Sequence, residues 1–240
     1  MNIVVTAGNT QVLIDRVRCI TNIFSGKTGT SIALAAHARG HDVTLLTSHP
    51  EVVATLAKKP PETRWRVEPY RTFEDLEALM QRAIRDGSPD VVVHSAAVSD
   101  YRAAGVFAPD EHTRFRHDLH WESTGTGKPR LVDRWASKVK SDASELWLRL
   151  VRSPKLIDMI RSPWHFQGIL VKFKLEVDID EEALRRIAEE SRKQSQADLM
   201  VANTLEGAQS WALLGPIRGD YLRVDRPTLP ARLLNAIEGL

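Results

Sequence analysis

The chain has 240 residues, 42% of them hydrophobic, with 33 basic and 31 acidic side chains and a formal net charge of +2. It is long enough to bury a large core, and its small, scattered charge gives no basic surface for nucleic acid. A single cysteine excludes an internal disulfide, and the lack of a long apolar or targeting stretch predicts a cytoplasmic protein with no membrane segment.

Strands and helices alternate in the first part of the chain. The predicted elements are a strand at Ile3 to Val5, a helix from Lys27 to Arg39, strands from Asp42 to Thr47 and Trp65 to Glu68, a helix from Phe73 to Arg85, and a strand at Val91 to Val93. Because each strand is a compact apolar run, the pattern favours a parallel sheet covered by helices. The expected class is α/β, a doubly wound, Rossmann-like, mostly parallel sheet with helices on both faces and a small added hairpin or flap.

The middle of the chain is irregular, and the last part alternates again. Residues 103–135 mix Gly, Pro, His and charge without a sustained period, so we predict a loop or flap there. The later predicted elements are a strand from Glu145 to Leu150, a helix from Ser153 to Arg161, a strand from Gly168 to Phe173, a helix capped by Asp180 and reaching about Gln196, a strand from Leu199 to Ala202, a hairpin of Ala212–Leu214 with Tyr221–Val224, and a final helix from Thr228 or Leu229.

The loop between the first strand and the first helix is the main candidate site. A helix that starts after a polar turn presents free backbone N–H groups, which suits an anion such as a nucleotide phosphate. A P-loop ending at Gly26 would need glycine where Thr21 stands, and the loop is too long for the dinucleotide fingerprint. Gly26 and Gly29 also fit a helix packed closely on a sheet, and that alternative stays open.

A set of short segments, spread in order over most of the chain, identifies a family. They are Thr6-Ala7-Gly8-Asn9-Thr10, Ile14-Asp15-Arg16-Val17-Arg18, Ile20-Thr21-Asn22, Ser25-Gly26-Lys27-Thr28-Gly29, Ser95-Ala96-Ala97-Val98-Ser99-Asp100-Tyr101, Lys138-Val139-Lys140-Ser141, Phe173-Lys174-Leu175-Glu176 and Val201-Ala202-Asn203-Thr204-Leu205-Glu206. The sequence resembles the phosphopantothenoylcysteine synthetases, the phosphopantothenate–cysteine ligases of coenzyme A synthesis.

The resemblance implies a ligase that joins 4′-phosphopantothenate to L-cysteine through an acyl nucleotidylate made from ATP or CTP with Mg²⁺. It implies a single nucleotide-binding ligase domain over residues 1–240, with residues 103–140 as a flap or dimer-contacting excursion, in a homodimer of small-molecule-binding protomers. Phe173-Lys174-Leu175-Glu176 resembles relatives that use ATP, which favours ATP slightly.

The resemblance also implies roles for particular residues, although it identifies no metal ligand. The nucleotide-binding residues are Gly8, Ser25, Gly26, Gly29, Phe173, Asn203 and Lys138; the phosphopantothenate-binding residues are Arg18, Asn22, Ala96, Ala97 and Asp100; the catalytic residues are Asn22 and Lys140. Arg18 is implied to reach the substrate phosphate across a dimer interface.

Ordinary structural roles remain open for several of these residues. Phe173 also fits the core and Asn203 a turn, Asn22 fits a helix cap, and Arg18 fits an ion pair with Asp15. Lys138 and Lys140 also fit a solvated surface. A metal site at His112, His117 and His120 is disfavoured, because no acidic or sulfur partners fall at suitable spacing.

The sequence departs from the family pattern at Asn9, where glycine is usual, and at Phe24, which replaces a hydroxyl. These departures and the long stretch between Tyr101 and Lys138 keep two alternatives open, a related carboxylate–amine ligase and a nucleotide-binding homologue without catalysis. A nicotinamide-dependent oxidoreductase would fit the fold class alone, and the missing fingerprint counts against it.

Overall fold

The structure is a computed structural model that describes residues 1–240. The chain forms two compact units. The large unit comprises Met1–Thr10, Ile23–Val98 and Lys155–Leu240, and the small unit comprises Gln11–Asn22 and Ser99–Pro154. None of the helices combines the length and the hydropathy that a membrane crossing requires.

Strands and helices alternate in the large unit, whereas the elements of the small unit are all strands. In chain order the elements are β1 (Asn2–Ala7), β2 (Gln11–Leu13), β3 (Cys19–Thr21), α1 (Lys27–Ala38), β4 (Asp42–Thr47), α2 (Glu51–Leu56), β5 (Trp65–Pro69), α3 (Phe73–Arg85), β6 (Val91–His94), β7 (Tyr101–Pro109), β8 (Thr113–Phe115), β9 (Trp121–Ser123), β10 (Leu131–Asp133), β11 (Trp147–Arg152), α4 (Leu156–Arg161), β12 (Ile169–Glu176), α5 (Glu181–Gln194), β13 (Leu199–Thr204), β14 (Trp211–Ile217), β15 (Asp220–Asp225), a 3-10 turn (Arg226–Thr228) and α6 (Leu229–Glu238).

The large unit is built on one eight-stranded sheet in the order β15-β14-β13-β12-β6-β1-β4-β5. Six neighbouring strands of this sheet pair in parallel, in the spatial order β13-β12-β6-β1-β4-β5. Strand β14 pairs antiparallel with both β13 and β15. Successive residues of β1 face opposite sides, so Ile3 and Val5 pack with α1 and α6 while Val4 packs with α3 and α4. This confirms the α/β, doubly wound, mostly parallel sheet with helices on both faces, with β14–β15 as the added hairpin.

Several element boundaries follow from local signals that the sequence shows. Strand β4 and helix α3 have the predicted bounds. The side chain of Thr72 accepts from Asp75 N and the Asp75 side chain accepts from Thr72 N, which closes a capping box at the start of α3. The Asp180 side chain accepts from Ala183 N at 2.8 Å, so the predicted cap of α5 is confirmed.

The prediction of a loop over residues 103–135 is wrong for much of its length. Strand β7 lies between β10 and β11 in an antiparallel sheet, and β8 pairs with β9. The rings of Phe115, Trp121 and Trp147 contact one another, with centroid distances of 4.6 to 5.1 Å. The β8–β9 hairpin is therefore held by aromatic contacts to β11, which the irregular sequence pattern does not reveal.

Two further elements have no sequence prediction. Helix α2 is only 6 residues long, and the hairpin of β2 and β3 has 3 residues in each strand. Elements this short carry too few residues for a periodic pattern.

Candidate functional site

The turn after β1 is held in shape by the end of β4. Gly8 has φ +93°, and a Cβ on it would lie 2.1 Å from Ser48 Oγ. Ser48 Oγ accepts from Asn9 N at 2.9 Å and donates to Asn9 Oδ1 at 3.1 Å. Asn9 thus stands where the family pattern has glycine and is bonded to Ser48, a residue that sequence reasoning missed.

The carbonyl of Ala7 is fixed by a second missed residue. The Tyr70 hydroxyl donates to Ala7 O at 2.8 Å, and burial raises the pKa of Tyr70, so the phenol stays protonated. The backbone N–H of Ser48 donates to the same carbonyl at 3.3 Å. Residues that directly follow β4 and β5 therefore fix the backbone at the end of β1, where the chain enters the Gly8 turn.

The segment after β6 is bonded directly to the Gly8 turn. Ala97 N donates to Gly8 O at 2.8 Å, and Ala96 N donates to Thr6 Oγ1 at 3.1 Å. Because β1 and β6 are neighbours, the carboxyl ends of both strands meet at one edge of the sheet. Gly8, Ala96 and Ala97 therefore lie together at this edge of the sheet.

Helix α1 begins beside that turn. Its N-cap, Gly26, has φ +77°, and a Cβ there would lie 2.4 Å from Gly8 N. No side chain caps the helix and its first turn has no acidic residue, so the positive end of its dipole is uncompensated. Such a start can bind an anion through backbone N–H groups.

Gly29 has a packing role in the structure. A Cβ on it would lie 2.4 Å from Ser95 Oγ and 2.8 Å from Ala7 Cβ, so glycine lets α1 approach β1 and β6 closely. Ser25 is half-buried in the loop before α1, and Phe24 is at the surface with 36% of it exposed. A nucleotide contact by Gly29 or Ser25 stays a prediction.

Phe173 and Asn203 lie on adjacent strands of the large sheet. The Phe173 ring packs partly buried against the core that includes α1, on the β12 strand that pairs with β13. Asn203 is buried near the end of β13, where its Nδ2 donates to Thr204 O at 3.4 Å. Both residues are near the carboxyl edge of the sheet, where doubly wound folds bind ligands.

In the small unit, a buried carboxylate joins two distant segments. The enclosed side chain of Asp15 accepts from Arg18 Nη2 at 2.6 Å and from Val139 N at 3.1 Å. Arg18 Nη2 also donates to Val139 O at 2.7 Å. The Arg18 guanidinium, together with backbone N–H donors, holds the pKa of Asp15 well below its usual range. The Asp15–Arg18 pair, which the sequence left as an alternative, is present.

The contact of Asp15 and Arg18 with Val139 determines the orientation of Lys138 and Lys140. Val139 is buried, whereas the lysines on either side of it are exposed. The small unit thus brings Arg18 to the lysine segment and leaves both ammonium groups facing outward. Asn22 is half-buried, and Asp100 is exposed and accepts from Ser153 N through its carbonyl.

No group of three or more His, Cys, Asp and Glu side chains is arranged to hold a metal ion. His120 Nδ1 lies 2.7 Å from Asp118 O in the β8–β9 turn, and His112 lies near Glu111. These histidines are on the exposed surface of the small unit.

The comparisons with known proteins agree with the resemblance. The family described as DNA/pantothenate metabolism flavoprotein C-terminal domain matches residues 1–114. The chain is 33% identical over 206 residues to the coenzyme A biosynthesis bifunctional protein CoaBC of Thermococcus kodakarensis, and 30% identical over 203 residues to that of Escherichia coli K12. Each alignment covers 85% of this chain and 41% of the relative, so the chain spans about two fifths of the length of these curated relatives.

Solved structures share the fold. The DNA/pantothenate metabolism flavoprotein of Streptococcus pneumoniae has a TM-score of 0.78 and 29% identity, with 100% of this chain and 99% of that chain covered. A CoaBC C-terminal domain has a TM-score of 0.65 and 21% identity, with 99% and 94% covered. A Cab2 variant in complex with phosphopantothenate-cysteine has a TM-score of 0.62 and 19% identity, with 99% and 88% covered.

Proposed function

We propose that the chain belongs to the family of DNA/pantothenate metabolism flavoprotein C-terminal domains and is a ligase joining 4′-phosphopantothenate to L-cysteine in coenzyme A biosynthesis, as its similarity to these proteins supports. The observation that carries the proposal is the start of α1, which is free of caps and acidic residues and packs on the Gly8 turn. That arrangement suits a polyphosphate.

The chemistry explains why such a site is needed. A carboxylate does not condense with an amine in water, because its charge repels attack and its oxide is a poor leaving group. Attack of the carboxylate oxygen on the α-phosphorus of a nucleoside triphosphate forms a C–O–P bond and releases pyrophosphate. The cysteine amine then attacks the acyl carbon and expels the nucleoside monophosphate. Both steps need charge neutralisation and positioning more than a protein nucleophile.

In the large unit we assign the nucleotide to Gly8, Ser25, Gly26 and Gly29, with Phe173 and Asn203 toward the base and ribose. Free N–H groups at the start of α1 support the phosphate contacts. The position of Phe173 and Asn203 near the carboxyl edge of the sheet supports their contacts to the base and ribose. Ala96 and Ala97, bonded to the same turn, are assigned to phosphopantothenate.

In the small unit we assign Arg18, Asn22 and Asp100 to phosphopantothenate, with Asn22 and Lys140 in catalysis and Lys138 toward the nucleotide. An amide can donate and accept at once, which suits Asn22 to the acyl phosphate. The outward ammonium of Lys140 suits charge building on phosphorus.

The finer features of the proposal are a choice of ATP over CTP, a requirement for Mg²⁺, a homodimer and a cytoplasmic location. We expect Mg²⁺ to arrive on the triphosphate, because this ion is usually held by substrate phosphates with one or two carboxylates. The homodimer rests on the family resemblance, and exposed apolar side chains in the small unit are candidates for its interface.

The test measures pyrophosphate release with ATP or CTP, Mg²⁺, 4′-phosphopantothenate and cysteine. We expect release that requires phosphopantothenate, with product formation that also requires cysteine. Because Lys140 is assigned to stabilise the transition state, Lys140→Ala should lower kcat by about 100-fold or more while leaving the dissociation constant of the nucleotide nearly unchanged. No release with either nucleotide would remove the proposal.

A related ligase is the second candidate, favoured by the apolar Phe24 and by the long stretch between Tyr101 and Lys138. A panel of carboxylate and amine substrates separates the two. Pyrophosphate release with another carboxylate, and none with phosphopantothenate, would favour the related ligase. Tight nucleotide binding with no turnover, unaffected by Lys140→Ala, would instead indicate a non-catalytic homologue.

A further inference from the structure

Arg226 differs from the other enclosed arginines of the large unit. Arg161 pairs with Asp198 at 2.7 Å, Arg192 with Glu189 at 2.8 Å and Arg185 with Glu181 at 2.9 Å. Arg226 is partly buried, yet it forms no ion pair, and burial alone lowers its pKa. A guanidinium stays charged under such a shift, so its charge is uncompensated within the protein.

The hydrogen bonds of Arg226 are incomplete. Its Nη2 donates to Thr28 Oγ1, in the first turn of α1. Its Nη1 is buried and has no hydrogen-bond partner; the other buried side-chain atoms without a partner are Thr30 Oγ1 and Ser153 Oγ. Of these three atoms, Nη1 is the one that carries charge. Burying a charged donor without an acceptor is costly, so it calls for an explanation.

The position of Arg226 supplies that explanation. Strand β15 runs parallel to β13, because each pairs antiparallel with β14, so Arg226 follows a strand that ends at the carboxyl edge of the sheet. From there it reaches Thr28 at the positive end of α1. A cation beside the positive end of a helix dipole is unfavourable by itself and becomes favourable when an anion lies there.

We infer that Arg226 binds the phosphate chain of the nucleoside triphosphate, with Thr28 holding its guanidinium at the start of α1. The inference rests on the proposed function for the identity of the ligand, and it adds a binding residue from the C-terminal segment, far in sequence from the first loop. A guanidinium presents two donors to phosphate oxygens in a fixed geometry.

The experiment measures binding by calorimetry with ATP, CTP, inorganic tripolyphosphate and adenosine. We expect Arg226→Ala to weaken binding of both nucleotides and of tripolyphosphate about 10- to 100-fold, since a charge-assisted hydrogen bond is lost. Adenosine binding should not change. Arg226→Lys, which keeps the charge, should recover part of the loss, and Thr28→Val should weaken phosphate binding by a smaller factor.

Arg223→Ala is the matched control. Arg223 lies on β15, stacks on Trp211 at 4.3 Å and pairs with Glu181 at 2.8 Å, so its loss should leave phosphate binding unchanged. Thermal unfolding separates ligand binding from a structural role. Without ligand, Arg226→Ala should unfold at the same temperature as the parent or higher, because an uncompensated cation is removed.

Two results would overturn the inference. One is unchanged binding of ATP, CTP and tripolyphosphate in Arg226→Ala. The other is a lowered unfolding temperature with equal loss of adenosine and nucleotide binding, which would mark a structural arginine. Tripolyphosphate binding that depends on Arg226 would sustain the phosphate site even if no ligase activity were found, so the two proposals fail separately.

Discussion

At the scale of single residues, Asp15 determines the position of the Lys138–Lys140 segment. Its carboxylate accepts from the backbone of Val17, Arg18 and Val139 and from the Arg18 guanidinium. Because the pKa of Asp15 is lowered in the folded state, its ionised form stabilises the folded state above the ordinary carboxyl pKa. That contribution is lost as the pH falls through the lowered value.

We predict that Asp15→Asn loosens the lysine segment. The amide can no longer accept from both Val139 N and the Arg18 guanidinium, so amide exchange at Val139 should accelerate about tenfold or more, as measured by hydrogen exchange. The exposed Asp142 is the control, and Asp142→Asn should leave the Val139 rate unchanged. Equal Val139 rates in Asp15→Asn and the parent would show that Asp15 does not hold the segment.

His94 gives a pH dependence in the core of the large unit. It is buried at the end of β6, with Nδ1 3.0 Å from Thr6 Oγ1, and burial, aided by the charge of Lys172, lowers its pKa to about 4. Well above a pH of about 6.5 the histidine is neutral in both the folded and the unfolded state and adds no pH dependence. As the pH falls from there toward 4, the unfolded state binds a proton that the folded state does not, so stability declines.

The expected loss from His94 is about 3 kcal/mol between pH 7 and pH 4. Urea unfolding of the parent and of His94→Gln, measured at both pH values, isolates this term, because glutamine does not titrate. The parent should lose more stability than the variant by that amount. Parallel losses in the two proteins would contradict the assignment.

At the scale of elements, the connection from β1 to α1 depends on two glycines in contact. The turn at Gly8 and the cap at Gly26 both have positive φ, and each leaves no space for a side chain. The alternative role of the glycines, which is to allow close packing, is therefore present in the structure. The same packing creates the uncapped start of α1, so close packing and anion binding are compatible.

We predict that Gly26→Ala lowers the free energy of unfolding by about 1–3 kcal/mol, because alanine is strained at φ +77° and its Cβ would meet Gly8 N. Urea unfolding measures the change. Gly127→Ala is the control, since no atom lies within 4 Å of the added Cβ and its φ is not positive. Equal stability of the two variants would show that the backbone at Gly8 accommodates the added Cβ with no loss of stability.

At the scale of the whole molecule, the small unit exposes large apolar side chains. Val17 is 68% exposed, Trp135 50% and Ile20 47%. Exposed apolar side chains mark an interface where they form a contiguous patch. The proposed homodimer rests on the family resemblance, and these side chains are candidates for its interface.

Sedimentation should therefore give a particle of about twice the 26.9 kDa chain mass. Ile20→Asp should shift the equilibrium toward monomer, because a buried unpaired carboxylate opposes association. Leu222→Asp, at an exposed apolar position on β15 of the large unit, should leave the dimer intact. A monomeric parent would exclude the dimer. Loss of the dimer in Leu222→Asp but not in Ile20→Asp would show that the interface lies on the large unit.

The sequence by itself determined the alternation of strands and helices, the bounds of β4 and α3 and the cap of Asp180. These features depend on hydrophobic period and on hydrogen bonds within a few residues, which are visible locally. The tertiary structure decided that Ser48 meets Asn9, that Asp15 meets Val139 and that Arg226 meets Thr28. These partners are 39, 124 and 198 positions apart, and strand order brings them together, which no local pattern encodes.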